Sequence, residues 1–175
     1  MMNILQAYCI PHTGLSVGIH EYDFEIHADF FQAISTDIVS TGNIKVELEL
    51  EKINNVHFRV EVSMEGTLQV ECARCTSTVD YPIQLFKKIV GKVTDKPFED
   101  DEVIIVSSQD HEIQLAQVFY ELIILNLPMK FIPCEEGLVD KNNCNQEILT
   151  ELRKITPIVE EPIDPRWGAL KNFLD

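Results

Sequence analysis

Apolar residues recur at every second position over much of the first hundred residues. In GNIKVELELEKI, Ile44, Val46, Leu48 and Leu50 alternate with Lys45, Glu47, Glu49 and Glu51, which predicts a strand with one buried and one wet face. INN at 53–55 reads as a turn. A longer alternation follows, with Val56, Phe58, Val60, Val62, Met64, Leu68, Val70 and Cys72 on one parity. Gly66 alone interrupts it and reads as a bulge or a bend. Period two continues through Val79, Tyr81, Ile83, Leu85, Ile89 and Val93, while Pro82 on the other parity argues for a sheet edge. The acidic loop KPFEDDEV leads to a short strand, VIIV. Upstream, EYDFEIHADFFQAI predicts a strand and then a short helix with Asp29 as N-cap. Short turns between neighbouring strands imply antiparallel pairing, since parallel strands need long crossovers.

After residue 114 the period changes. Leu115, Val118, Phe119, Leu122 and Leu125 fall at helical spacing, and Pro128 ends the helix, with Asn126 and Leu127 already outside it. Ile123 and Ile124 make its other side apolar too, so it should lie buried on the sheet. CEEGLVDKNNCNQ reads as loop, QEILTELRKI as a short amphipathic helix and TPIVEEPID as an acidic linker. DPRWGALKNFL reads as a terminal helix capped by Asp164, with Pro165 at its first position and Trp167, Leu170 and Leu174 in one stripe. The expected fold is α+β: an antiparallel β-meander, strongly twisted or barrel-like, with one main helix packed on it and a short helical C-terminal arm. Residues 1–130 make the β-rich core ending in the main helix. Residues 131–175 supply the loop, short helix, linker and terminal helix of the same folding unit.

A length of 175 residues, 45% hydrophobic and 25% charged, suits one globular domain. The net charge of −15, from 29 acidic against 14 basic residues, repels phosphate backbones and favours basic partners, although acidity also serves solubility. MMNILQAYCIPHTG lacks the basic start and unbroken apolar run of a secretory signal. The stretch Leu115 to Leu127 is too short to span a bilayer and contains Glu121. The expectation is a cytoplasmic protein with no membrane partner, in which thiols stay reduced.

Five cysteines therefore ask for an explanation. Cys72 and Cys75 are two residues apart; Cys134 follows after 58 intervening residues and Cys144 after nine more. Four thiolates can form a closed tetrahedral zinc shell, and a two-residue gap lets one turn present two sulfurs to one ion. The nine-residue gap is not a zinc knuckle, so the second pair needs a loop folding back on itself. The competing readings are free, partly buried thiols, or a redox pair, which would want a helix N-terminus in a βαβ frame. Cys9 reads as a plain core residue.

Other chemistry is sparse. The five histidines have no zinc-enzyme spacing, and His57 sits on a polar parity. EDDE at 99–102 is an acidic run of the kind that is usually solvated. Neither a phosphate-cradling loop nor a nucleophile elbow is present. LFKKIVGK offers Lys87, Lys88 and Lys92, which with Arg74 could face RNA or simply guard an edge strand. The expectation is no enzyme and no small-molecule substrate.

ECARCTSTVDYPI, ELIILNLPM, IDPRWGALKNFL and the lead-in GLSVGIHEYDFEIHADFF together resemble the YceD-like large ribosomal RNA subunit accumulation proteins. These stretches span residues 14–174. Motif positions carried over are Cys72, Arg74 and Cys75, then Glu121, Leu127 and Pro128, then Asp164, Pro165, Arg166 and Trp167. Where such proteins often place a histidine after Leu-Pro, this chain has Cys134. The resemblance implies a non-enzymatic role in accumulation, processing or stability of large-subunit ribosomal RNA. With the charge, it points to a basic ribosomal protein or assembly intermediate as partner, and Asp164–Trp167 as a docking element unless the helix buries Trp167 on the sheet. The alternatives are direct RNA binding or processing through Arg74, Lys87, Lys88 and Lys92, and a zinc-dependent hydrolase.

Overall fold

The computed structural model describes residues 4–34, 39, 41–95, 103–132 and 144–155. After a 3-10 turn (Ile4–Tyr8) come β1 (Cys9–Pro11), β2 (Gly18–Ile26), α1 (Ala28–Ile34), β3 (Thr41–Lys52), β4 (His57–Glu71) and β5 (Thr78–Val93). Then follow β6 (Val103–Val106), β7 (Glu112–Gln114), α2 (Ala116–Asn126) and α3 (Gln146–Ile155). The predicted termini of β3 to β6, α2 and α3 agree to within a residue or two, because alternation and helical spacing are properties of local sequence.

Five strands form one sheet in the order β2-β3-β4-β5-β6, and β1 pairs with β7 in a second, two-stranded sheet. The large sheet is open, not the barrel that the strong alternation allowed, with β2 and β6 at its ends. The meander is antiparallel through β5, but β6 runs parallel to β5, Val90 opposite Val103 and Val93 opposite Val106. With only four residues of β6 to place, the chain returns a mere ~13 Å before pairing, so no long crossover is required. The β1–β7 pair was not legible in the sequence, because three-residue strands carry too little periodicity.

The alternating apolar residues of β3 and β4 are buried as predicted, among them Ile44, Val46, Val60, Val62 and Met64. Gly66 is not a bulge. Both registers run through it unbroken, Ile44 on one side and Ile83 on the other. A Cβ there would collide with the Asn43 carbonyl oxygen and crowd Ile44 Cα, so the position is glycine because two backbones approach too closely for anything else. Gly91 likewise leaves room for the Phe58 ring.

The far side of the core is closed by aromatic side chains from several elements. Phe119 of α2 meets Tyr8 and Phe24 edge-on at 6.2 and 5.4 Å, and Tyr8 meets Phe30 of α1 at 4.9 Å. Burial raises the Tyr8 phenol above its usual pKa, helped by the nearby Asp29 carboxylate, and its hydroxyl donates to the Glu25 carbonyl at 2.8 Å. Asp29 is thus in the first turn of α1 rather than its N-cap. In α2 the buried residues are Ala116, Phe119 and Ile123, while Leu125 is 83% exposed, so the helix turns a different stripe inward than its spacing implied and is not buried all round. Asn126 stays helical and Leu127 leaves the helix in extended geometry, as Pro128 requires. Cys9 is half-buried in β1, not a core residue.

At the β5–β6 end, Asp95 accepts hydrogen bonds from the Ser108 hydroxyl and backbone N–H and from the Ser107 hydroxyl, which hold its carboxyl below the ordinary range. A depressed carboxyl adds stability above its unfolded pKa, near ~3.9, and loses it as pH falls through the lower folded value. The Ser108 amide is therefore expected to stay protected from hydrogen exchange at neutral pH. It should open in acid only below about pH 4, which amide exchange measured along a pH series checks.

A buried cysteine cluster and a carboxylate trough

Cys72 and Cys75 stand in the turn between β4 and β5. Its closure is local: Cys72 N–H donates to Ser77 O at 2.9 Å, and Thr76 N–H to Cys72 O at 3.0 Å. Thr76 takes φ 56°, a left-handed conformation that costs a side-chain-bearing residue about 1–2 kcal/mol. The turn is tied to the segment after α2, because Ala73 N–H donates to Phe131 O at 2.8 Å and the Phe131 ring sits edge-on to Tyr81 at 5.7 Å. Asn145 Oδ1 caps α3 by accepting from Glu147 and Ile148 N–H, which places Cys144 just ahead of that helix.

The structure brings Cys72, Cys75 and Cys144 into one buried cluster, separate from the main core and covered by Leu149 of α3. Cys134 lies outside the described residues. Cys72 and Cys75 are free thiols, whereas Cys144 is disulfide-bonded. Among the described residues no group of three or more His, Cys, Asp or Glu side chains has the arrangement of a metal shell. The donor chemistry nevertheless suits a thiophilic ion once Cys144 is reduced, since a disulfide sulfur cannot ligate as a thiolate. Burial pushes the Cys75 thiol up. Hydrogen bonds from the Ser77 and Asn145 backbones, the Ser77 side chain and Cys72 outweigh it and bring it to about 7.

The wet face of the large sheet carries a second feature. Register aligns Glu21 of β2, Glu49 of β3 and Glu61 of β4 directly opposite one another, with Lys88 of β5 completing the row. The adjacent row reads Asp23, Glu47, Ser63, Phe86. Apart from Lys88, the residues of these rows line a trough of about 420 Å³. Including the flanking rows, eight carboxylates face three cations across β2 to β5. Two of those cations are already engaged, Lys88 with Glu61 at 2.6 Å and Arg59 with Glu51 at 2.8 Å. Like charges directly opposite on neighbouring strands are destabilising. The polar parity of β3 was visible in the sequence, but its alignment against Glu21 and Glu61 needed the registers.

The candidate RNA contacts are dispersed. Arg74 is in the turn before β5, whereas Lys87, Lys88 and Lys92 occupy its second half. Lys88 and Lys92 share the wet face with the carboxylates, and Lys87 lies on the opposite parity.

A protein-family model described as the large ribosomal RNA subunit accumulation protein YceD matches residues 60–174, well over half the chain. The chain belongs to the YceD family. No curated protein and no solved structure matches it. The family's name links its members to large-subunit ribosomal RNA. Of the motif residues in this YceD-family chain, Cys72, Arg74 and Cys75 form the β4–β5 turn, and Glu121 is on the exposed face of α2 bonded to Gln117 at 2.8 Å. Leu127 and Pro128 end that helix, and Asp164, Pro165, Arg166 and Trp167 lie outside the described residues. The trough residues of β2 and β3 precede the matched region, so half of that surface is contributed by sequence outside it. Among the described residues no helix is long and apolar enough to cross a membrane.

Proposed function

We propose that this YceD-family chain supports accumulation of large-subunit ribosomal RNA without catalysis, by holding a basic ribosomal protein or assembly intermediate against its carboxylate trough. The Glu21–Glu49–Glu61 row carries this reading: three opposed carboxylates lower the stability of the isolated chain, and a cationic partner would relieve them. The same field repels phosphate, so the RNA is affected through the protein partner. Asp164, Pro165, Arg166 and Trp167 serve as a second docking element, Arg and Trp being frequent interface anchors. Affinity purification from cells with and without RNase tests the reading. Basic ribosomal proteins retained after RNase and eluted by salt are expected. Retention of RNA alone, abolished by RNase, would replace the reading with direct RNA binding.

The cysteine cluster has a structural role in the same proposal. Cys72 and Cys75 from the turn, with Cys134 and Cys144, hold a zinc ion that fastens the β4–β5 turn to the segment before α3. A closed four-thiolate shell leaves no position for an activated water and therefore supplies no hydrolytic chemistry. Protein purified under reducing conditions is expected to contain one zinc per chain by elemental analysis. Cys75→Ser should lose the ion and speed amide exchange at Ser77. Metal-free protein with the turn amides fully protected would dispose of the idea.

A further inference from the structure

The hydrogen-bond parity of β5 exposes a docking edge separate from the trough. Cys72 N–H bonds Ser77 O and Val93 N–H bonds Val56 O, in the register that pairs Glu71 with Thr78 and His57 with Lys92. In an antiparallel ladder such bonded pairs alternate, so odd-numbered residues of β5 turn their backbone groups toward β4 and even-numbered ones turn away. Strand β6 covers the far edge only from Val90 onward. Among the described residues, the outward backbone groups of Gln84, Phe86 and Lys88 have no strand partner. Pro82 bounds this stretch where its missing N–H faces outward, and that is why a proline is tolerated in so long a strand.

Beside the open edge lies a groove of about 550 Å³ between β5, β6 and α2, lined by Ile89, Ile104, Val118, Leu122 and Leu125 and by Glu121. The Lys87 side chain stands at this groove on the core-side parity, exposed and with no ion pair or hydrogen bond among the described residues. A charged residue pointing inward on an edge strand ordinarily deters pairing. Here its own side is apolar apart from Glu121, whose carboxylate accepts from Gln117 at 2.8 Å, and Phe86, 60% exposed, sits on the other. That combination selects a strand rather than excluding every strand.

We infer that the Gln84–Lys88 edge takes up an extended segment of another protein by strand addition, with its groove-facing side chains reading apolar, acidic, apolar so that the acid meets Lys87. A second copy of this chain fits poorly. Antiparallel self-pairing about Phe86 sets Lys87 opposite Leu85 and offers it no acid, and two chains of net charge −15 repel each other.

Amide hydrogen exchange on the full chain tests the inference, with the synthetic peptide TVTETVT as probe and TVTKTVT as control. In the free chain Gln84, Phe86 and Lys88 amides should exchange rapidly while Leu85 and Lys87 are protected. The glutamate peptide at millimolar concentration should slow the three open amides at least about tenfold, and the lysine peptide should not. Lys87→Glu should reverse that preference, and as Lys87 is exposed the variant should keep the wild-type fold by circular dichroism. Protection of the three amides in the free chain would show the edge already filled, from within if independent of concentration or by a second copy if dependent on it, and would overturn the inference. Equal response to both peptides, or to neither, would overturn it as well.

Discussion

Replacing Glu49 with glutamine is expected to stabilise the folded chain and weaken its hold on a basic partner, two effects of opposite benefit from one charge. Glu49 faces Glu21 on one side and Glu61 on the other, and only Glu61 has a cation beside it, Lys88 at 2.6 Å. Removing the central charge relieves both like-charge contacts at once. Each such contact costs a few tenths of a kcal/mol up to about 1, so Glu49→Gln should gain roughly 0.5–1 kcal/mol. For a chain of this size that is about 1–4 °C in Tm, and less at high salt, where surface charges are screened. Extending the change to Glu21→Gln, Asp23→Asn and Glu47→Gln leaves the two ion pairs intact and empties the trough of its unpaired charge. Partner capture at physiological salt should then fall by about tenfold or more, mainly through slower association. Thermal melts and binding kinetics on the same preparations check both halves. A quadruple variant that melts higher but binds its ribosomal partner as before would leave the trough as mere surface.

Gly66→Ala is expected to be the most damaging single methyl in the sheet. Hydrogen bonds at Ile53, where its N–H reaches His57 O, set the β3–β4 ladder so that Ile44 and Gly66 form a non-bonded pair, the closer of the two antiparallel spacings. A Cβ at Gly66 points into the Asn43 carbonyl and Ile44 Cα, which are backbone atoms held in a central strand with neighbours on both sides. No side chain can rotate away to make room. Overpacking against backbone should cost about 3 kcal/mol, or roughly 6–12 °C in Tm. The denaturant slope should stay unchanged, since the same surface is exposed on unfolding. Gly42→Ala is a milder comparison, because its Cβ meets the movable Leu68 Cδ2 at 2.6 Å and backbone only at 2.9 Å, the Thr67 carbonyl oxygen, against 2.1 Å at Gly66. A Gly66→Ala protein as stable as the Gly42→Ala variant would mean that β3 and β4 are not in the register described here.

Some site features were legible in the chain before it was folded. The Cys72–Cys75 spacing, the end of α2 at Leu127-Pro128 and the alternation of β3 with glutamates on its polar parity all follow from residues near in sequence. Others depend on partners far away. That Cys144 joins Cys72 and Cys75, that Glu21 stands opposite Glu49, and that Lys87 overlooks a groove walled by α2 are facts about which segments meet. Gly66 shows the boundary clearly. Its break in the pattern is visible in the chain and reads as a bulge or a bend, whereas the cause, the closeness of Asn43, cannot be seen from one strand.

Taken alone, the sequence determined the element types and their buried parity, because backbone hydrogen bonding and side-chain direction repeat every 2 or 3.6 residues whatever the surroundings. It also determined the acidic balance and, through its motifs, the family. Only the tertiary structure decided the parallel placement of β6, the inward stripe of α2, the row of opposed carboxylates and the open edge of β5. Each of these depends on register or on contact between distant segments, and such contacts are chosen by the packing of the whole core, which no local stretch contains.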